Sequence, residues 1–583
     1  MKQPGWLRGI ALALLLSCGG LAQGVAQAQD ARPSSVPAPR LASQAVVARN
    51  GMVVAQEARA ARIGADILAR GGNAVDAAVA SGFALAVTYP RAGNLGGGGF
   101  MLVHMAARNE TVAIDCRESA PQGATPTMFL DADGKPDPAR SRDSALAVGV
   151  PGTVAGLALA HARYGSGRFT LAELIAPAIH LARDGVLVGD DTADTLPQAR
   201  ERLMRWPSSA KLFLHGDGTP LGEGEVLVQE DLARTLEAIA AAGADGFYRG
   251  AVAEKLVAAV QSAGGLLTLD DLAGYRAVVR APVTGFYRGH GIAAMSPPSS
   301  GGAVLIETLN ILEGYDLGAN GGTDAPHLMI EAMKRAYADR AFFLGDPAFT
   351  AAPLARLISK DYAAALRRDI DPQRARPSSS IRREGAGPRE GGNTTHVSIA
   401  DRFGNAVAHT TTLNFGYGLG LVAEGTGVLL NNEMDDFTAA PGAANAFGLV
   451  GYEANLPGPG KRPLSSMTPA IVFRDGRPML ITGSPGGSRI ISAVTQVISN
   501  VLDHGMDIAA AVAAPRLHHQ WMPDEVRVER GVAPALVEDL RRRGHAVAEP
   551  LGETSANSIR IGADGFHGAA DPRTRGALAA GVD

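Results

Sequence analysis

NTTHVSIADRFGNAVAHTTTLN, residues 393–414, holds two strand-like runs separated by the turn-like cluster Asp401-Arg402-Phe403-Gly404-Asn405. Thr395 to Ile399 alternates as a half-buried strand does, and Ala406 to Leu413 predicts a second strand. A hairpin centred on Phe403 sets Thr394 directly opposite Thr412. Opposed residues share a face with Cβ atoms about 4.5–5.5 Å apart, within reach of a Thr–Thr hydrogen bond.

The stretch before this hairpin is of another kind. Residues 371–392 (DPQRARPSSSIRREGAGPREGG) are polar, charged and rich in Pro and Gly, which predicts an exposed linker or disorder. Slack chain running straight into a strand is the junction a processing site needs. An internal threonine hydroxyl is a poor nucleophile. At a chain N-terminus its own α-amine, with a pKa of about 7.7–8.0, can take the proton. Cleavage of Asn393–Thr394 would make that base from the bond being broken. The same residues also fit two plainer roles: Asn393-Thr394-Thr395 matches a glycosylation acceptor, and threonines are common in strands.

Further out, the chain of 583 residues is 46% apolar and 19% charged, with a net charge of −4. No basic excess exists to neutralise phosphates, so nucleic acid is not an expected partner and small molecules are. Lys2 and Arg8, the apolar run Ile10 to Leu16 and Ala26-Gln27-Ala28 read as an export signal over residues 1–28, with the bacterial periplasm as destination. Leu15-Leu16-Ser17-Cys18 offers lipid anchoring at Cys18 as the alternative. Removal of the signal leaves Cys116 alone, so no intramolecular disulfide can form, and a buried small hydrophobe is its expected role. From about Gly51, helical and strand patterns alternate. Ala58 to Arg70 predicts a helix closed by Gly71-Gly72. Asn73 caps the next, Ala74 to Val87, whose apolar character on nearly every side predicts burial between layers.

A second block, Gly483 to Arg489 (GSPGGSR), follows the strand-like Met479 to Thr482. Paired glycines let backbone N–H groups approach a substrate oxygen, as an oxyanion hole requires; an ordinary glycine-rich turn is the alternative, for it and for Gly96 to Gly99. Acidic Glu433, Asp435 and Asp436 follow the strand Val428 to Leu430, Arg117 ends a strand, and Ser465-Ser466 follows Lys461-Arg462-Pro463. Acidic groups suit an ammonium, while arginine and hydroxyls suit a carboxylate; taken singly, each block also fits an ordinary solvated loop. His518-His519 lacks metal-ligand spacing, so these histidines are expected to serve as hydrogen-bonding groups; no metal and no cofactor are expected.

Together these blocks resemble the γ-glutamyltranspeptidases (glutathione hydrolases), members of the N-terminal-nucleophile hydrolases. The matching motifs run from about Gly51 to Arg573: AGNLGGGGFM (92–101), AIDCRESAP (113–121), PGTVAG (151–156), YADRAFFLGDP (337–347), NTTHVS (393–398), LLNNEMDDF (429–437), KRPLSSM (461–467), GSPGGSRI (483–490) and ADPR (570–573). The resemblance implies an α+β fold, a four-layer αββα sandwich, made by a large chain (29–393) and a small chain (394–583) that stay associated as a heterodimer. It implies Thr394 as processing and catalytic nucleophile, Thr412 as its hydrogen-bonding neighbour, and Gly486 and Gly487 as the oxyanion hole. Arg117, Ser465 and Ser466 match residues binding the substrate α-carboxylate, and Asn414, Glu433 and Asp436 match those around its α-amino group. The implied substrates are γ-glutamyl compounds such as glutathione, with water or an amino acid or peptide amine as acceptor. Two positions depart from or vary within the family. Some bacterial relatives close a lid with a tyrosine hydrogen-bonded to the residue matching Asn414; here Phe447 stands there, without a hydroxyl. Glu433 occupies a position where the family shows Gln or Glu. A glutaryl-cephalosporin-type acylase shares the fold and the threonine and is the nearest alternative; a non-catalytic amino-acid-binding protein is the alternative of another class.

Overall fold

The structure is a computed structural model that describes residues 44–318, 323–381, 393–548, 550–552 and 554–583. The expected export signal, Cys18 and residues 382–392 of the linker lie outside the described residues. The hairpin has the expected register: Thr394–Asp401 pairs antiparallel with Ala406–Thr412, and Thr394 stands opposite Thr412. Its turn is tied down at Asp401. One carboxylate oxygen accepts from the backbone of Phe403 and Asn405, and the other accepts from Ala74 N–H at a helix start, 2.8 Å away.

This hairpin forms the centre of a seven-stranded antiparallel sheet. Its strand order is Leu578–Val582, Gly51–Ala55, Thr394–Asp401, Ala406–Thr412, Gly98–Met105, Glu110–Cys116, Val278–Arg280. A second seven-stranded antiparallel sheet runs Val46–Ala48, Gly565–Ala569, Ser558–Gly562, Arg477–Thr482, Ala470–Arg474, His290–Ala294, Val283–Tyr287. Period-2 alternation sorts the first sheet's side chains into two cores. Val53, Met101, Val103, Val397, Ile399 and Val407 pack on the helices Ala58–Ala69, Ala74–Thr88, Thr153–Tyr164 and Leu171–Asp184. Met52, Val54, Phe100, Leu102, Ala400 and Ala408 face the second sheet, behind which lie the helices Gly301–Leu312, Ala325–Phe343 and Arg489–Leu502. The layers are therefore helix, sheet, sheet, helix, as expected.

The helix Ala74–Thr88 is buried along its whole length and carries a full capping box from Asn73 and Asp76. His396 lies between the sheets, bonded to the hydroxyls of Thr410 (2.8 Å) and Ser398 (3.0 Å), and burial pushes its pKa down to about 3. It is a neutral tie between two strands of the first sheet. Cys116 is buried as expected, its thiol donating to Gly99 O at 3.1 Å.

The linker departs from expectation in its first half. Residues 378–381 form a short helix, and Ser378 is fully buried. Its N–H and hydroxyl donate to Asp524 at 2.8 and 2.7 Å, while its carbonyl accepts the Trp521 indole N–H at 3.0 Å. A polar tract with almost nothing apolar to bury is held by groups some 140 residues downstream, which local composition does not reveal.

Candidate active site

Thr394 begins the central strand, and its alternation with His396 and Ser398 turns its side chain toward the inter-sheet side. Its hydroxyl donates to Thr412 Oγ at 3.3 Å. Thr412 Oγ in turn donates its own proton to the Asn393 carbonyl at 2.8 Å and accepts from Asn414 N–H at 2.9 Å. The two hydroxyls thus form a directed pair, running from the Thr394 proton to the carbonyl of the Asn393–Thr394 bond. Asn393 is held on both sides, since its N–H donates to Asn414 O at 3.0 Å. A Cβ on Gly416 would lie 2.6 Å from Asn393 Nδ2. The packed Asn393 amide and the fully buried Thr395 weigh against a glycan there.

A small cavity opens on this pair, lined by Thr394, Thr412, Asn414, Arg117, Glu433, Asp436, Ser465, Ser466, Gly487 and Phe447 together with Leu449, Met467, Ser488 and Ile490. Nine of the ten expected catalytic and binding residues therefore surround one space; Gly486 is the tenth and adjoins it through Gly487. Both glycines have positive φ (134° and 58°), which side-chain-bearing residues rarely adopt. A Cβ on Gly487 would also sit 2.5 Å from the Phe447 ring. Gly96 to Gly99 has a different use. Cβ atoms at Gly97 and Gly99 would lie 2.1 Å from Thr412 O and 2.3 Å from Thr410 O, so these glycines let the neighbouring strand close up.

The charges are arranged otherwise than residue types alone suggest. Arg117 ends the strand Glu110–Cys116, with Nε on Pro463 O at 3.1 Å. Its two terminal nitrogens pair with Glu433 and Asp436. The expected carboxylate-binding arginine and the expected ammonium-binding acids thus neutralise each other. They do so incompletely, because a third carboxylate, the fully buried Glu118, lies 3.8 Å from Arg117. Both Glu118 oxygens and Glu433 Oε2 are buried with no donor among the described residues. Burial pushes the Glu118 pKa up to about 7 and raises Glu433 and Asp436 as well, with Arg117 only partly opposing. Three carboxylates lie within 4 Å of one cation, Arg117, with Arg340 near Asp436 and Arg462 near Glu118 acting from further off, so Glu118 and Glu433 are short of direct N–H donors.

Three residues outside the expected set complete the surroundings. Arg340, buried in the helix Ala325–Phe343, donates to Ser300 Oγ at 2.9 Å and to Ser466 Oγ at 3.4 Å, leaving the Ser466 proton free to point elsewhere. Its signal lay in YADRAFFLGDP, where a charged residue falls within a buried helix. Asn445 donates to Asp436 at 3.1 Å and accepts from the backbone of Phe447 and Leu449. Gln520 donates to Phe447 O at 3.1 Å; nothing in its local sequence marks it. The expected structural histidines make hydrogen bonds, His518 to Ser492 and Gln520 and His519 to Asp524. Phe447 itself stacks on Phe415, ring centroids 5.6 Å apart, so this part of the cavity is closed by apolar contact.

Known proteins resemble this chain along most of its length. A family model described as gamma-glutamyltranspeptidase matches residues 60–581. The chain is 49% identical to the glutathione hydrolase proenzyme of Escherichia coli over all of both chains. It is 39% identical to an acylase ACY 1 proenzyme of a Pseudomonas species, over 91% of this chain and 94% of that one. Among solved structures, a cephalosporin acylase from Bacillus halodurans superposes with a TM-score of 0.81 at 28% identity, covering 95% of this chain and 99% of that one. The chain belongs to the γ-glutamyltranspeptidase family.

Proposed function

We propose that this chain is a self-cleaving γ-glutamyltransferase and glutathione hydrolase, cut between Asn393 and Thr394 into a large chain (29–393) and a small chain (394–583). In the uncut chain the Thr394 hydroxyl attacks the Asn393 carbonyl carbon. Negative charge develops on Asn393 O, where the Thr412 hydroxyl already donates. The C–N bond then breaks, the threonine nitrogen takes the proton, and water hydrolyses the resulting ester. This frees the α-amine that serves as base in every later turnover.

In the mature site the γ-carbonyl of the donor lies over Thr394 Oγ. The N–H groups of Gly486 and Gly487 receive the oxyanion; a donor of this kind typically contributes about 2.7–4 kcal/mol. The γ-glutamyl-enzyme passes to water or to an amino acid or peptide amine. Arg117, Ser465 and Ser466 take the α-carboxylate, with Arg340 behind Ser466, and Asn414, Glu433 and Asp436 surround the α-ammonium. The single observation that favours a γ-glutamyl over a glutaryl donor is the shortage of positive charge around Arg117. Glu433 Oε2, a buried carboxylate oxygen without a donor on a residue that lines the cavity, suits a ligand that brings an ammonium, which a glutaryl group lacks. The proenzyme names of the relatives support a processed precursor, and we propose export to the periplasm; among the described residues no helix is long and apolar enough to cross a membrane. Turnover of γ-glutamyl-p-nitroanilide against the glutaryl analogue tests the substrate assignment, and faster glutaryl turnover would overturn it.

A further inference from the structure

We infer that Gln520 is the latch of this site, a positioning residue that holds the Phe447 main chain beside the oxyanion turn through a chain of hydrogen bonds from the buried Ser492 and His518. The kinetic half of this inference rests on the proposed γ-glutamyl reaction; the structural half does not.

The direction of each bond follows from the atoms. Gln520 Nε2 donates to two carbonyls, Phe447 O at 3.1 Å and Met522 O at 3.3 Å. Flipping the amide would set its oxygen against both, so Oε1 must be the atom facing His518 Nε2 at 2.8 Å. An oxygen there needs a donor, which fixes the proton on Nε2. His518 is buried and burial pushes its pKa down to about 3, so the ring is neutral and Nδ1 is an acceptor. Ser492 Oγ, 2.8 Å away, therefore donates to it in preference to the Arg489 carbonyl, which lies 3.0 Å from the same hydroxyl. Ser492 lies in the first turn of the helix Arg489–Leu502, which begins directly after Gly486-Gly487-Ser488. The chain thus joins the backbone of Phe447 to the element that positions the two glycines.

The ring of Phe447 is set from the other side. It stacks on Phe415, next to Asn414, with 17° between the planes, and leaves no room for a Cβ at Gly487. A phenylalanine has no hydroxyl with which to close a lid. Here the fastening acts on its carbonyl, which any residue at 447 would supply. The latch replaces a side-chain bond by a main-chain one, and the side chain is left to shape the cavity.

Two variants of Gln520 test this in the processed two-chain protein at pH 8. Gln520→Ala removes the amide. Gln520→Glu keeps its size and can still accept from His518, but its carboxylate cannot donate to Phe447 O. Hydrogen exchange of the lid amides Gly448 to Gly451 is expected to quicken roughly fivefold in both, the worth of one neutral hydrogen bond. The strand amides of Thr394–Asp401 serve as the unmoved control. KM for γ-glutamyl-p-nitroanilide is expected to rise by a similar factor, with kcat held within about twofold. Unchanged lid exchange in both variants would overturn the latch, and so would a Gln520→Glu variant that matches wild type, since packing alone would then suffice. Faster lid exchange with unchanged KM would overturn the role in substrate retention. The exchange readout decides the latch whether or not wild type turns over γ-glutamyl donors.

Discussion

Replacing Thr412 with valine keeps the shape of the side chain and removes only its oxygen. That oxygen has three partners: Asn393 O at 2.8 Å, Asn414 N at 2.9 Å and Thr394 Oγ at 3.3 Å. Two losses follow. Asn414 N–H is left buried without an acceptor, a cost of about 1–3 kcal/mol that lowers the melting temperature without abolishing folding. The scissile carbonyl loses the donor aimed at its developing charge. Such donors supply about 2.7–4 kcal/mol. This one, however, already bonds the ground-state carbonyl, and only its strengthening during attack speeds the reaction. The lower end applies, so self-cleavage is expected to slow by about 10²-fold. Cell-free synthesis with samples taken over time, resolved on a denaturing gel, measures it directly. Thr412→Ser, which restores the hydroxyl, is expected to stay within about tenfold of wild type. A valine variant that splits as fast as wild type would refute the assignment of the Thr412 proton to Asn393 O.

Thr394→Ala is expected to remain one chain on the same gel while wild type yields two; two fragments from the alanine variant would place the nucleophile elsewhere. Glu118 ties stability to pH. Its folded pKa of about 7 lies above the ordinary 4.5, so the folded state holds its proton more tightly. That stability is complete at low pH and is lost as pH rises from about 4.5 to 7, by about 1.4 kcal/mol per unit. Thermal midpoints of Glu118→Gln against wild type should show this slope flattened, and parallel curves would remove Glu118 as its source. Asn445→Ala frees both Asp436 and the turn at Phe447 and Leu449, and is expected to raise KM by about tenfold with a smaller fall in kcat. Steady-state kinetics showing kcat alone affected would contradict a binding role.

How much was legible beforehand depended on the range of the interaction. The hairpin register was readable because both strands and their turn lie within 22 residues, and two-residue alternation then fixes which side chains share a face. The capped helix Ala74–Thr88 was readable for the same reason. Thr394, Thr412 and the glycine turn stood out as local patterns, and the motif set joined Arg117 to Ser465 and Asp436 across more than 300 residues. What local sequence could not show was partner choice. Arg117 pairs with Glu433 and Asp436 because all three are buried together. Ser378 is ordered by Asp524 and Trp521, although its own neighbours predict slack chain. Gln520 bonds a carbonyl, and carbonyls leave no trace in sequence.

The pairing of Arg117 also sets how strongly the site should discriminate. A ligand carboxylate arriving at Arg117 joins a cluster in which Glu118, Glu433 and Asp436 already lie within 4 Å of that cation, with Arg340 and Arg462 further off. A γ-glutamyl group brings an ammonium with it, so the ligand adds no net charge and both acids keep a cation. A glutaryl group brings only negative charge, and any contact it makes with Arg117 is taken from Glu433 or Asp436. Leaving one buried charge uncompensated costs about 3–5 kcal/mol; proton uptake by Glu433 or Asp436, whose pKa values burial already raises, limits the loss to the lower end. The expected preference in kcat/KM for the γ-glutamyl over the glutaryl anilide is therefore about 10²-fold. Replacing Glu433 with Gln and Asp436 with Asn together removes both excess charges while keeping acceptor oxygens near Arg117. The double variant should turn over γ-glutamyl donors more slowly and glutaryl donors faster, bringing the two within about tenfold. A double variant that retained the wild-type preference would mean that shape, and not the charge shortage around Arg117, selects the donor.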